Sequence, residues 1–220
     1  NYNGKSRDVM TLAHELGHGV HQVLASKNGY LLADTPLTLA ETASVFGEML
    51  VFQKLLSKAD SKQEKNSMIA EKVEDMLNTV VRQIAFHNFE TSFHNKRKLN
   101  ELTPDEISEI WMETQSQALG DAINLDDSYK PLWSYIPHFV HTPFYVYAYA
   151  FGDCLVNSLW QVRLSGQSNF TESYLNLLKS GGKKHHKEAL APFGLDASDP
   201  EFWNIGLNTI SSLIDELEAA

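Results

Sequence analysis

The chain has 220 residues, of which 43% are hydrophobic and 21% charged. That balance suits a globular chain with its own core and excludes a disordered or fibrous one. The formal net charge of −10 argues against nucleic-acid binding, which needs basic surface to neutralise phosphates. The longest apolar stretch, roughly residues 144–162, is interrupted by polar residues, so we expect no membrane contact.

Helical spacing of apolar residues recurs along nearly the whole chain and predicts an all-α fold. The predicted helices cover residues 8–26, 35–58, 63–98, 103–119, 143–165, 168–179, 185–192 and 196–218. Thr103, Pro104 and Glu106 combine an N-cap, a first-turn proline and a capping-box glutamate at the start of the fourth helix. Residues 120–137 are predicted to form a long loop, and residues 30–33 are the one candidate for extended structure.

Two features bear on the origin of the chain. Cys154 is the only cysteine, so no internal disulfide is possible and a reducing compartment, the cytoplasm, is expected. The chain starts at Asn1 in a polar stretch, with neither an initiating methionine nor a signal peptide. We therefore expect residues 1–220 to be part of a longer protein.

Residues 14–18 read H-E-x-x-H within the first predicted helix. Histidines four residues apart share a helix face, so His14 and His18 can bind one cation. Catalytic zinc takes three protein ligands and a water molecule. Glu15 is placed to accept a proton from that water as it attacks a carbonyl. Because apolar or small residues flank the motif, we expect the helix to be buried.

A third protein ligand has several candidates. His21 lies about 10.5 Å along the helix axis from His14, too far to share an ion, so it is expected near the site instead. Leu24 stands where a metzincin would need histidine, which excludes that class. Glu41 fits best, because breaks around residues 28–36 let its helix fold back antiparallel. Glu48, two turns further on, either orients a ligating histidine or faces solvent.

Residues 137–149 combine histidines and tyrosines around the predicted start of a helix. His138, His141, Tyr145 and Tyr149 could donate hydrogen bonds to the oxyanion that forms when water adds to a peptide carbonyl. Aromatic residues at this spacing are also common in helical cores. The sequence leaves both interpretations open.

Three blocks resemble the oligoendopeptidase F branch of the thimet-type zinc oligopeptidases. They are His-Glu-Leu-Gly-His-x-x-His at 14–21, Ala-Glu-Thr-Ala-Ser-Val-Phe-Gly-Glu at 40–48, and Pro-His-Phe followed by Phe-Tyr-Val-Tyr-Ala-Tyr at 137–149. The resemblance implies a mostly helical enzyme that binds one zinc ion and cleaves short peptides. Family members are far longer, which predicts that residues 1–220 are the C-terminal catalytic part.

The resemblance also implies roles for individual residues. It makes His14, His18 and Glu41 the zinc ligands and Glu15 the general base. It gives oxyanion stabilisation to the His/Tyr segment, with His138 and Tyr149 as first choices and His141 and Tyr145 as second.

The sequence thus predicts a multi-helix, zincin-like domain with HExxH on a buried helix, which hydrolyses internal bonds of oligopeptides with one zinc ion. Two alternatives stay open. The same site could serve a carboxypeptidase or aminopeptidase, since the groups that would capture a peptide terminus are not identified. The chain could also be a helical module with a structural metal site, although Glu15 would then have no use.

Overall fold

The computed structural model describes residues 3–219, so the expected start of a fragment at Asn1 lies outside the described part of the chain. Within that part we find ten α-helices and no strand, and the all-α prediction is confirmed. The helices are α1 (Ser6–Ala25), α2 (Ser44–Leu56), α3 (Lys62–Leu77), α4 (Gln83–Arg97), α5 (Pro104–Leu119), α6 (His138–His141), α7 (Tyr147–Leu164), α8 (Phe170–Ser180), α9 (His186–Leu190) and α10 (Pro200–Glu218).

Shorter helical segments join several of these helices. A π-helical stretch, Asn78–Arg82, links α3 to α4. The prediction of a long loop at 120–137 is wrong for the most part, because Asp127–Tyr135 forms a 3-10 helix that the Asp126 side chain caps. Residues 30–33 are not extended either: the N–H groups of Leu32 and Ala33 both donate to the Gly29 carbonyl, which closes a turn.

The chain divides into two compact units. The first unit comprises the residues up to Met76 and from Gly152 onward. In its core the Phe46 ring lies 5.6 Å from the Trp160 ring and 4.6 Å from the Tyr174 ring. The Tyr174 hydroxyl donates to the Thr42 carbonyl at 2.9 Å, which ties α8 to the segment before α2.

The second unit, Leu77–Phe151, has an aromatic core. The Trp111 ring lies 5.3 Å from the Phe89 ring, and its indole N–H donates to the Tyr129 carbonyl at 3.0 Å. The predicted capping box of α5 is present: the Thr103 N–H donates to the Glu106 carboxylate at 2.7 Å, and the Glu106 N–H returns a bond to the Thr103 hydroxyl.

Helix α1 is not buried, and that part of the prediction is wrong. Leu12, Leu16, Val20 and Val23 line one exposed face, with Leu16 60% and Val23 70% exposed. The helix is apolar on two sides, and only the side that carries the motif packs on α2. Among residues 3–219, no helix combines the length and the hydropathy that crossing a bilayer requires.

Candidate metal centre

Two glycines set the close approach of α1 and α2. A Cβ atom on Gly17 would lie 2.5 Å from the Ala43 carbonyl oxygen and 2.6 Å from the Ser44 Cα atom. A Cβ atom on Gly47 would lie 3.1 Å from the Ala13 carbonyl oxygen. Real Cβ atoms do not approach backbone atoms as closely as 2.5 Å, so any other residue at position 17 would push the two helices apart. Glycine therefore brings the segment around Ser44 against the motif face of α1.

Three ligand atoms converge on this face. The Nε2 atoms of His14 and His18 are 3.1 Å apart, and the Glu41 Oε2 atom lies 3.5 Å from each of them. Zinc bonds of 2.0–2.1 Å in a tetrahedral site place neighbouring ligand atoms about 3.4 Å apart. The donor set, two imidazoles and a carboxylate, is also one that zinc accepts. The three side chains thus fit one zinc ion without rearrangement.

Glu41 reaches this position from a 3-10 segment, Leu37–Thr42, rather than from the α-helix predicted for it. The Ser44 hydroxyl donates to Glu41 Oε2 at 2.7 Å and fixes the carboxylate. A Cβ atom on Gly152 would lie 2.9 Å from the Glu41 Cβ atom. Position 152 therefore has to stay small for Glu41 to keep its place.

His14 is oriented by Glu48. The Nδ1–H group of His14 donates to Glu48 Oε1 at 2.5 Å, which leaves Nε2 available to a metal. This hydrogen bond is the main cause that raises the pKa of His14 above its usual 6.5, against the opposing effect of burial. Of the two interpretations of Glu48, the contact with His14 is the one present in the structure.

His21 lies apart from the three ligand atoms. Its ring is buried, and Nε2 lies 3.4 Å from the Thr35 hydroxyl. Burial is the main cause that lowers the pKa of His21, with a smaller effect from His18. The buried imidazole of His21 thus contacts the end of the segment that joins α1 to the 3-10 segment Leu37–Thr42, rather than the cluster of ligand atoms.

Glu15 follows His14 on α1 and is exposed. Adjacent residues on an α-helix point about 100° apart, so Glu15 lies beside the ligand face rather than on it. Its charge adds to the causes that raise the pKa of His14. The carboxylate is thus near the cluster yet open to solvent.

In the second unit, His138, Tyr145 and Tyr149 form one group. His138 Nε2 lies 3.2 Å from the Tyr149 hydroxyl. The Tyr145 ring centroid is 5.9 Å from that of His138 and 5.2 Å from that of Tyr149. His141 is exposed, and within residues 3–219 we find no hydrogen bond or ring contact that joins it to this group.

The predicted start of the helix in this region is wrong by several residues, because α7 begins at Tyr147. Phe144 has a φ of 61° and turns the chain between α6 and α7. Its N–H group donates to the buried Glu90 carboxylate at 2.8 Å, which stabilises that conformation. Tyr145 therefore contacts Tyr149 across a turn, not along one helix face.

Sequence reasoning missed Ser44 and Gly152, and it missed the structural role of Gly17. A hydroxyl three residues after Glu41 was a usable signal for Ser44, because such spacing often gives a local hydrogen bond. No local signal exists for Gly152, since its contact with Glu41 joins distant parts of the sequence.

Comparison with known proteins identifies the family. Residues 1–209 match the sequence model of Peptidase family M3, and the chain belongs to that family. It is 28% identical to oligopeptidase PepF of Bacillus subtilis over 99% of this chain, and this match covers 33% of that relative. The chain thus spans about a third of the length of the curated relatives it matches. The resemblance found in the sequence is confirmed.

Two solved structures share the fold. The oligoendopeptidase-F of Enterococcus faecium superposes with a TM-score of 0.81 at 25% identity, over 97% of this chain and 39% of that one. A protein from Chlamydophila abortus superposes with a TM-score of 0.87 at 34% identity, over 100% of this chain and 37% of that one. The similarity extends over both compact units.

Proposed function

We propose that this chain is the catalytic part of a zinc endopeptidase that hydrolyses internal bonds of short peptides. One observation carries the proposal: two imidazoles and a carboxylate converge with separations of 3.1 and 3.5 Å beside an exposed glutamate. A structural zinc site is usually closed by four protein ligands. Three converging ligands next to a base favour a site that acts on water.

His14, His18 and Glu41 would hold the ion. Zinc in that position would supply a Lewis acid and lower the pKa of a water molecule towards neutrality. The protein supports this arrangement by fixing two of the three ligands, through the bonds from Ser44 to Glu41 and from His14 to Glu48.

Glu15 is the general base in this proposal. Its carboxylate accepts a proton from the attacking water and later passes it to the amine that leaves. Exposure of Glu15 to solvent suits this role, because the proton must move between water, the carboxylate and the substrate.

We assign oxyanion stabilisation to His138 and Tyr149, with Tyr145 and His141 as second choices. The support is the resemblance of the segment to the family motif and the contact between the two first choices at 3.2 Å. A phenol and an imidazole can both donate hydrogen bonds to a developing oxyanion.

The substrate class we propose is the oligopeptide, because the Bacillus subtilis relative is an oligopeptidase and the Enterococcus faecium structure is an oligoendopeptidase. For the compartment we propose the cytoplasm. The single cysteine, Cys154, is buried and suits a reducing environment.

The experiment uses the zinc-loaded chain and a peptide blocked at both ends. Wild type is expected to cut an internal bond. The rate of Glu15→Gln is expected to be about 10²–10⁴-fold lower than that of wild type, because a general base contributes that factor. The variant should still bind zinc. Full activity in Glu15→Gln would contradict the mechanism.

The same assay separates the alternatives. Cleavage that requires a free terminus would replace the endopeptidase by a carboxypeptidase or an aminopeptidase. One zinc per chain without cleavage of blocked or free peptides would favour the helical module with a structural metal site.

A further inference from the structure

Lys72, on α3, is a buried charge in the first unit. It is only 4% exposed, and its Nζ atom lies 3.8 Å from Glu48 Oε2 and 3.7 Å from Asp75 Oδ2. Removing an ammonium from water costs several kcal/mol unless charges and hydrogen bonds compensate. A lysine in this position therefore needs a reason beyond packing.

Glu48 connects this ammonium to the candidate metal centre. One carboxylate oxygen faces Lys72, and the other accepts the hydrogen bond from His14 Nδ1 at 2.5 Å. Both ends of the Glu48 carboxylate are thus engaged. Lys72 in the core is thus connected through Glu48 to His14, a proposed metal ligand.

A buried acid, Asp153, lies within the electrostatic reach of the same ammonium. Asp153 is 4% exposed and accepts a hydrogen bond from the Asn157 amide at 2.8 Å. Burial is the main cause that raises the pKa of Asp153 to about 6, the charge of Lys72 opposes this, and Asp75 and Glu48 add to it. Lys72 is therefore the cation among three carboxylates, on α2, α3 and α7.

We propose that Lys72 is a positioning residue for the metal centre: its ammonium holds the Glu48 carboxylate where it accepts from His14 Nδ1, so that Nε2 of His14 faces the ion. The inference rests on the proposed zinc site. Lys72 touches neither the ion nor the substrate and acts through Glu48. Partners of this kind around a ligating histidine typically change metal affinity 10- to 100-fold.

A merely structural lysine would act differently. It would lower the stability of the protein when removed, but its effect on zinc affinity would not depend on Glu48. The informative quantity is therefore the coupling between positions 72 and 48, which a double-mutant cycle measures.

The test measures zinc affinity by competition with a chelator in Lys72→Met, Glu48→Gln and the double variant. We expect Glu48→Gln to weaken zinc binding about 10- to 100-fold and Lys72→Met about 10-fold. The double variant should be no weaker than Glu48→Gln alone, because the effect of Lys72 passes through that carboxylate. The exposed Lys65, on the same helix, gives the control Lys65→Met, which should bind zinc like wild type.

Lys72→Met alone could fail to fold, since it removes the cation near the buried Asp153 and the half-buried Glu48. Lys72→Met with Asp153→Asn removes the cation together with one of those acids, and Asp153→Asn alone is its reference. The variant with both substitutions should bind zinc about 10-fold more weakly than Asp153→Asn alone.

Wild-type zinc affinity in the Lys72 variants, or losses that simply add to those of Glu48→Gln, would overturn the inference. Failure of wild type itself to bind zinc would instead overturn the proposed function, so the two failures are distinguishable.

Discussion

The two candidate functional regions are held in place by different forces. Around His14, His18 and Glu41, orientation comes from polar contacts: Ser44 fixes Glu41, and Glu48 fixes His14. Around His138, Tyr145 and Tyr149, it comes mainly from ring packing, with centroids 5.2–5.9 Å apart, beside the 3.2 Å contact between His138 Nε2 and the Tyr149 hydroxyl. The first region should respond to changes of charge and backbone spacing, whereas the second should tolerate the loss of a hydroxyl without losing its shape.

Tyr149→Phe tests the second half of this comparison through the rate of peptide hydrolysis. The ring stays, so folding and zinc affinity should be unchanged. Peptide hydrolysis should fall about 100-fold in kcat, because one donor to the oxyanion is lost. Steady-state kinetics and zinc titration check both statements.

Tyr135→Phe is the control for that variant, since Tyr135 is exposed and should behave like wild type. Unchanged kcat in Tyr149→Phe would remove Tyr149 from the proposed mechanism. Tyr145 would then be the next candidate for oxyanion stabilisation.

Asp153→Asn tests the buried charges of the first unit through the pH dependence of its stability. The unfolded carboxyl ionises near 3.8 and the folded one at about 6, so between these values the folded state binds more protons and loses stability as pH rises. Asparagine carries no charge. The variant should match wild type near pH 4 and gain up to about 3 kcal/mol above pH 7, the equivalent of that change in pKa.

Chemical denaturation at several pH values checks this prediction. The exposed Asp215, on α10, supplies the control Asp215→Asn, whose stability should not follow the same curve. A gain for Asp153→Asn that is the same at pH 4 and pH 8 would contradict the account.

Gly17→Ala tests whether the spacing of α1 and α2 sets the metal centre. The added Cβ atom would meet backbone at 2.5 Å, so stability should fall by about 1–3 kcal/mol and zinc affinity should fall with it. Thermal denaturation and zinc titration measure the two effects.

Gly19→Ala is a matched control on the same helix, because nothing lies within 4 Å of its Cβ position. It should stabilise the protein slightly, by about 0.5–1 kcal/mol, since alanine is the better helix former. Equal behaviour of the two variants would contradict the role given to Gly17.

Leu16→Ala has the smallest expected effect and tests the exposed face of α1. Leu16 is 60% exposed, so its removal should change stability by less than about 0.5 kcal/mol. Met49→Ala, at a position only 1% exposed, should cost about 2–5 kcal/mol. A loss of stability for Leu16→Ala as large as that for Met49→Ala would mean that this face of α1 is covered.

The sequence was informative where the relevant contacts are local. The four-residue spacing of His14 and His18 follows from helix geometry alone. Apolar periodicity located most helices, yet it could not say which of the two apolar sides of α1 is covered. It could not separate the 3-10 segment that carries Glu41 from an α-helix either, because six residues are too few for the two periods to differ.

The long-range contacts of Lys72 and of Gly152 were beyond the reach of the sequence. Lysine is almost never fully buried, so nothing marked Lys72 before its partners Glu48 and Asp75 were known. The need for glycine at position 152 likewise depends on Glu41, which approaches it only in the folded chain.

The most direct test of the central claim is the zinc content of the purified chain, measured by elemental analysis for wild type, Glu41→Ala and Glu15→Gln side by side. We predict one zinc per chain in wild type and in Glu15→Gln, and zinc that is lost or much more weakly bound in Glu41→Ala. Zinc held equally well by Glu41→Ala and wild type would contradict the three-ligand site.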